Sequence, residues 1–266
     1  MLNNNSTNVL VGEDRNLSHE FVDDIVKGEY GEYKVKQMLA EHSLVADIED
    51  KSGDRRYQKA DIDMLVKFDE DSDEITSVEV KNDSSLFNNL FFESRSAIKS
   101  WTSDSPGCLL VTEADFLFYM YFALEIVVIV PVKELNKWVS NRMIEDGKAF
   151  RKVNPRNNGY SSEGYLVPMA QLTGKQYNVK GVPGLIIKDM KTNKVLSFDE
   201  YEERRKEVRK EVGTNYVKVT GEAGWRNANA ELFKNEDRLQ VELLDNDVRL
   251  SKANEKLAFL DMLYDR

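Results

Sequence analysis

Apolar and polar residues alternate in two runs between Lys59 and Asp83, KADIDMLVKFDEDSDEITSVEVKND. In the first run Ile62, Met64, Val66 and Phe68 fall on one parity and Asp61 and Asp63 on the other. In the second, Val78 and Val80 alternate with Glu79 and Lys81. A period of two predicts β-strands, with residues two apart on one face. The acidic stretch Asp69 to Asp73 separates the runs as a turn, and it lacks the glycine and terminal glutamate of an EF-hand loop. Pairing of the two strands gathers carboxylates and one ammonium on a single polar surface. Upstream the period changes. Phe21, Val22, Ile25, Val26, Tyr30, Tyr33 and Met38 recur at helical spacing, which predicts a helix capped by Ser18 and running to about Glu41. Gly28 and Gly31 each cost such a helix about 1 kcal/mol against alanine. They either let another backbone approach closely or split the segment into two helices. Glu29 and Glu32 occupy neighbouring positions on one helical face.

Further along, short strands are predicted near Leu44 to Ile48, at Leu86 to Glu93, at Gly107 to Thr112 and at Glu125 to Val130, where Pro131 stops the last. Glu49 to Lys59 is predicted as a charged loop, Ser94 to Trp101 as a linker or helix, and Glu113 to Tyr121 as an amphipathic turn or helix. Val132 to Glu145 is a helix with Leu135, Trp138, Val139 and Met143 inward. A turn-rich loop, Asn154 to Gly159, leads to Tyr165 to Pro168 as a last edge strand. Strands alternating with helices predict an α/β or α+β core with a mixed sheet over residues 18–172, after a polar leader over residues 1–17. Residues 173–266 form an extension. It holds the apolar run Leu185-Ile186-Ile187, a charged helix Phe198 to Val212 capped by Ser197 and closed by Gly213, and a short strand at Tyr216 to Val219. From about Ala228, Leu232, Leu239, Leu243, Leu250, Ala253, Leu257, Leu260 and Tyr264 take heptad positions, with Asn246 as a polar member. That pattern suits an amphipathic helix packed on its own domain, or a coiled coil that makes a homodimer.

Composition narrows the classes. The 266 residues are 41% hydrophobic and 32% charged, a soluble globular balance. The single cysteine, Cys108, excludes an intrachain disulfide, and its apolar neighbours predict a buried core thiol. With only His19 and His42, a histidine-rich zinc site has no support. The Asn-rich start carries no signal-peptide pattern, and the apolar stretch Phe116 to Val132 is interrupted by Glu125. The expectation is a cytoplasmic protein without a membrane partner. A net charge of −10 argues against coating nucleic acid by bulk charge, but leaves room for a nucleic-acid enzyme with local cations. Arg95, Lys99, Arg151, Lys152 and Arg156 are candidates to line a phosphate groove, or are simply solvated. Trp101 and Trp138 are expected in the core rather than stacked on bases.

The order of an acid-bearing helix, an aspartate strand and a Glu-Val-Lys strand resembles the PD-(D/E)xK, restriction-endonuclease-like nuclease superfamily. Lys27-Gly28-Glu29-Tyr30-Gly31-Glu32 is similar to the opening helix of archaeal-type Holliday-junction resolvases within it. Phe91-Phe92-Glu93 and Leu110-Val111-Thr112-Glu113-Ala114-Asp115 resemble phage-type members. The resemblance covers residues 18–172. It implies a restriction-endonuclease-like core, a mixed central sheet flanked by helices, and a Mg²⁺- or Mn²⁺-dependent endonuclease acting on DNA. It also implies Asp63, Glu79 and the Val80 carbonyl as metal ligands, joined by Glu32, with Lys81 orienting the attacking water. Asp61 is a second candidate for the aspartate ligand, or a support behind it. The proline that usually precedes the family aspartate is absent, since Ala60 precedes Asp61 and Ile62 precedes Asp63. From the residues alone, Asp61 and Asp63 also suit a solvated strand face, Glu79 and Lys81 a surface ion pair, and Glu93 a structural role. A catalytically inactive nuclease-fold protein that binds or inhibits a protein or nucleic-acid partner is the alternative, motivated by the acidic surface and the heptads.

Overall fold

The computed structural model describes residues 19–69, 71, 74–83, 86–96, 105–157 and 160–212. The Ser18 cap, the polar leader, Gly213, the Tyr216 to Val219 strand and the heptads lie outside the described residues. Among the described residues no helix is long and apolar enough to cross a membrane.

The chain opens with α1 (His19–Ala40), then β1 (Asp47–Asp50), α2 (Arg55–Ala60), β2 (Met64–Lys67) and β3 (Ile75–Asp83). Next come β4 (Asn89–Ser96), β5 (Ser105–Pro106), α3 (Cys108–Val111), β6 (Phe116–Tyr121), a 3₁₀ turn at Phe122–Leu124 and β7 (Ile126–Pro131). The remainder is α4 (Val132–Glu145), β8 (Arg151–Val153), β9 (Arg156–Asn157), β10 (Tyr160–Ser161), β11 (Glu163–Pro168), α5 (Met169–Leu172), β12 (Ile186–Asp189), β13 (Val195–Leu196) and α6 (Phe198–Val212). The result is a mixed α/β architecture. Its central sheet has seven strands in the order β1-β2-β3-β6-β7-β12-β13, and a second sheet has four in the order β5-β4-β11-β8. In the central sheet only β3 and β6 run parallel; the other pairs are antiparallel.

The sheet buries both faces, and the two cores explain the sequence pattern. On one side α1 lays Val35, Met38 and Leu39 over Met64, Val66, Val78, Val80 and Phe118. On the other, Leu117, Tyr119, Val128 and Val130 meet Leu135 and Val139 of α4, Leu90 and Phe92 of β4, and Tyr201 of α6. Burying each such side chain contributes about 1.5–3 kcal/mol. Helix α1 runs unbroken through Gly28 and Gly31, so the two-helix alternative fails. Gly31 permits close approach: a Cβ there would lie 3.1 Å from the Asn82 Cβ on β3.

Several expectations are corrected. Phe116 to Tyr121 is a strand, not a turn or helix, because β6 and β7 are buried on both faces and show no alternation. Gly107 to Thr112 is not a strand: α3 starts at Cys108, and any side chain at Gly107 would run into the Glu93 carbonyl. A short apolar run cannot distinguish these states by period. Tyr165 to Pro168 is not an edge, since β11 lies between β4 and β8. The boundary after residue 172 falls within the fold, because β12 pairs with β7 in the central sheet.

Candidate metal and phosphate site

Strands β2 and β3 pair from Met64↔Val78 to Lys67↔Ile75 and then part. At the parting point the Asp63 N–H donates to the Val78 carbonyl (2.9 Å), and the Asp63 carboxylate accepts the Val80 N–H (2.7 Å). A side chain thus replaces the next rung of the ladder. The Lys51 N–H donates to the Asp63 carbonyl (2.7 Å), closing the segment between them into a loop over the site.

Asp61 does not share a strand face with Asp63. It is the C-cap of α2, in the left-handed conformation (φ 54°, ψ 53°), which aspartate tolerates better than most residues. Thr112 Oγ1 holds it by donating to its carbonyl (2.9 Å). The turn also moves Ile62 to the opposite side of the sheet from Met64: Ile62 packs in the core with Leu117, while Met64, Val66 and Phe68 pack under α1. The expected single apolar face from Ile62 to Phe68 therefore begins at Met64. Helix α2, with Asp54 accepting the Arg56 N–H as its N-cap, sets only Tyr57 and Ala60 partly buried against the core and has no fully buried residue, so it carries no apolar stripe and its sequence predicts a loop.

Glu79 and Lys81 lie beside Leu117 and Tyr119 of β6. Glu79 is 1% exposed and forms an ion pair with Lys81, whose Nζ stands 3.7 Å from Asp61 Oδ1. A surface ion pair is therefore excluded for Glu79. Beyond that pair, no N–H or hydroxyl donor reaches either Glu79 oxygen, and Asp61 Oδ2 is likewise buried without a donor. Burial pushes Glu79 up to about 9, with Asp63 and Asp61 adding to the rise and Lys81 opposing it. Burial also raises Asp63 above its ordinary value, against the pull of the Val80 N–H and Lys81. Burial opposes the charge on Lys81, but Cys108, Glu79 and Asp61 outweigh it and raise its pKa.

Glu32 reaches this group from α1. Burial and the neighbouring Asp63 and Asp50 carboxylates push it up to about 7, while a Ser52 hydrogen bond works the other way. Asp63 thus links Glu32 on α1 to the Glu79, Lys81 and Asp61 group, with Val80 bonded to Asp63.

Other residues sort differently. Glu93 accepts the Cys108 N–H (3.3 Å) and fixes the start of α3, a structural role. Cys108 is only half-buried, and its thiol lies within charge reach of Lys81, Glu93, Asp61 and Glu79; burial raises its pKa. Cys108, Asp50, Ser52 and Thr112 are site neighbours that sequence spacing did not mark, because only the tertiary fold brings them there. Lys152 pairs with Glu163 (2.7 Å), and Arg151 is exposed on β8. Trp138 donates to the Lys180 carbonyl (2.7 Å), a packing role. Lys99 and Trp101 lie outside the described residues, as does the Arg156 side chain.

Two facts bear on a metal. Among the described residues, no group of three or more His, Cys, Asp or Glu side chains stands close enough to hold a metal ion. Yet the donors at hand, carboxylate oxygens of Glu79 and Asp61 with no donor beyond Lys81, beside the half-buried Asp63, are the hard oxygen chemistry that Mg²⁺ or Mn²⁺ takes. By chemistry the residues fit such an ion. Comparisons of the chain with models of protein families, with curated proteins and with solved structures gave no match.

Proposed function

We propose that the chain is a metal-dependent DNA endonuclease with a restriction-endonuclease-like core. Glu32, Asp63, Glu79 and the Val80 carbonyl would hold Mg²⁺ or Mn²⁺, with Asp61 at their side. Such an ion supplies Lewis-acid polarisation of a phosphodiester and lowers the pKa of a bound water. Asp63 does two things at once: its carboxylate pins β3 through Val80 and remains part of the acid group. Lys81, drawn between Glu79 and Asp61, sets a fixed ammonium where charge on a reacting phosphate needs an offset. The observation that carries the proposal is Asp63 at the parting strand, within charge reach of Glu32 from α1 on one hand and of the buried Glu79 with Lys81 from β3 on the other.

The test is incubation of the purified chain with supercoiled, linear, single-stranded and branched DNA in Mg²⁺ or Mn²⁺. Cleavage that disappears in Glu79→Ala and in Lys81→Ala is expected; cleavage that persists in both overturns the assignment. The Lys81–Glu79 pair, which places an ammonium against the central acid, favours a second reading: an inactive nuclease scaffold that binds or inhibits a partner. That reading wins if no metal binds, no DNA is cut and a protein partner co-purifies.

A further inference from the structure

The loop between Lys51 and Asp63 is tied to the acids at three points. Lys51 bonds Asp63 through the backbone, Ser52 interacts with Glu32, and α2 ends in Asp61. The loop is also hydrogen-bonded within itself and to the segment before β6. The Gln58 amide donates to the Ser52 carbonyl (2.6 Å), the Ile62 N–H to the Tyr57 carbonyl (3.0 Å) and the Glu113 N–H to the Ala60 carbonyl (2.8 Å). Its outer side is basic, although the chain carries a net charge of −10: Lys51, Arg55, Arg56 and Lys59 stand against Asp54 alone. Lys51 pairs with Glu49 and Arg56 with Asp54. Arg55 and Lys59 are exposed, form no ion pair among the described residues, and sit four apart, hence on one face of α2. Acids thus face inward and uncommitted cations outward on one short, braced segment.

We infer that α2 is the arm that grips the DNA backbone next to the acid site, Arg55 and Lys59 each contacting a phosphate that flanks the one held at Lys81. The inference rests on the nuclease reading for the identity of the polyanion. Its physical content is separate: without local cations, a chain of this charge repels a nucleic acid from its own carboxylates.

The test uses the full chain and a fluorescein-labelled DNA duplex and branched DNA, with binding read by anisotropy in EDTA across a salt series and cleavage read in Mg²⁺. The variants are Arg55→Ala/Lys59→Ala and, as a second version, Arg55→Gln/Lys59→Gln. Lys206→Ala/Lys210→Ala serves as control. Those lysines are also exposed and four apart, but on α6, which packs by β13 at the far edge of the sheet. The α2 variants are expected to bind about 10- to 100-fold more weakly and to lower the salt slope by about 2, roughly 0.9 per lost phosphate contact. KM rises by a similar factor with kcat unchanged, and the control stays near wild type. Equal losses in the α2 and α6 variants overturn the inference, as does wild-type protein that binds no DNA at low salt. DNA cut with unchanged KM and salt slope in the α2 variants overturns the inference and leaves the nuclease reading intact. Weakened binding in the α2 variants with no cleavage of any DNA by the wild type overturns the nuclease reading and leaves the α2 assignment standing.

Discussion

Glu79 and Asp189 are both nearly inaccessible, at 1% and 3% exposure, and the chain treats them in opposite ways. Asp189, at the end of β12, accepts the Lys191 and Thr192 N–H groups (2.9 and 2.8 Å) and the Arg204 guanidinium (2.7 Å). Burial works to raise its pKa, and these donors outweigh burial and hold it below the ordinary value. Glu79 has a single ammonium, no backbone donor and two carboxylate neighbours, and burial drives it up to about 9. The satisfied acid is an anchor: it ties the β12 turn to α6. An acid buried and left short of donors costs stability, which natural sites accept where that group has chemistry to perform.

The comparison breaks most visibly in activity. Glu79→Ala or Lys81→Ala should lower DNA cleavage by about 10²–10³-fold or more, while Asp189→Ala changes kcat little; plasmid-nicking rates measure all three. Stability should show the reverse. Asp189→Ala strands the Arg204 guanidinium and two turn N–H groups and should cost about 3 kcal/mol, whereas Glu79→Gln should be neutral or stabilising near pH 8. Urea denaturation decides, and equal losses for the two variants would erase the distinction.

The pH dependence should separate them next. Glu79 has a folded pKa raised from 4.5 to about 9, so the folded state holds a proton that the unfolded state has lost between those values. Its contribution to stability is therefore fully present below pH 4.5 and falls as pH rises toward 9, by about 1.4 kcal/mol per pH unit at most. Glu32, raised from 4.5 to about 7, tilts the curve the same way over a shorter window. Asp189, with a lowered pKa, contributes above its ordinary value of 3.8 and loses that contribution as pH falls through its folded value. Melting curves from acid to alkaline pH should show the alkaline decline flattened in Glu79→Gln and the acid decline flattened in Asp189→Asn.

The smallest effect concerns the helix that carries Arg204. Ser197 Oγ accepts the Glu200 N–H (3.2 Å), and Glu200 accepts the Ser197 N–H and hydroxyl (2.7 and 2.9 Å), a reciprocal cap. Ser197→Ala should cost about 1 kcal/mol and leave cleavage untouched, read by the same denaturation and nicking assays.

What was legible in the sequence follows from where local chemistry decides structure. Helix α4 spans Val132–Glu145 and α6 spans Phe198–Val212, as expected, because Pro131 and the Ser197-to-Glu200 cap punctuate them. The shared face of Glu79 and Lys81, opposite Val78 and Val80, was legible from their alternation, whereas the burial of Glu79 was not. Asp61 was misplaced because a left-handed cap leaves no period to read, and α2 was missed because a helix with no buried residue has no stripe. Strand β6 and helix α3 exchanged identities because FLFYMY and CLLV are apolar runs whose state is set by the neighbours that cover them. Cys108 reached the site only through the β4–α3 contact with Glu93, a tertiary event that no spacing encodes.

The central claim is that the donor-poor acids around Glu79 are held for a divalent cation. Calorimetric titration of Mn²⁺ into the full chain, into Glu79→Gln and into Asp189→Asn at one pH tests it most directly. Saturable binding by the wild type and by Asp189→Asn, abolished in Glu79→Gln, is the predicted result. No binding by the wild type, or binding that Glu79→Gln leaves intact, would contradict it.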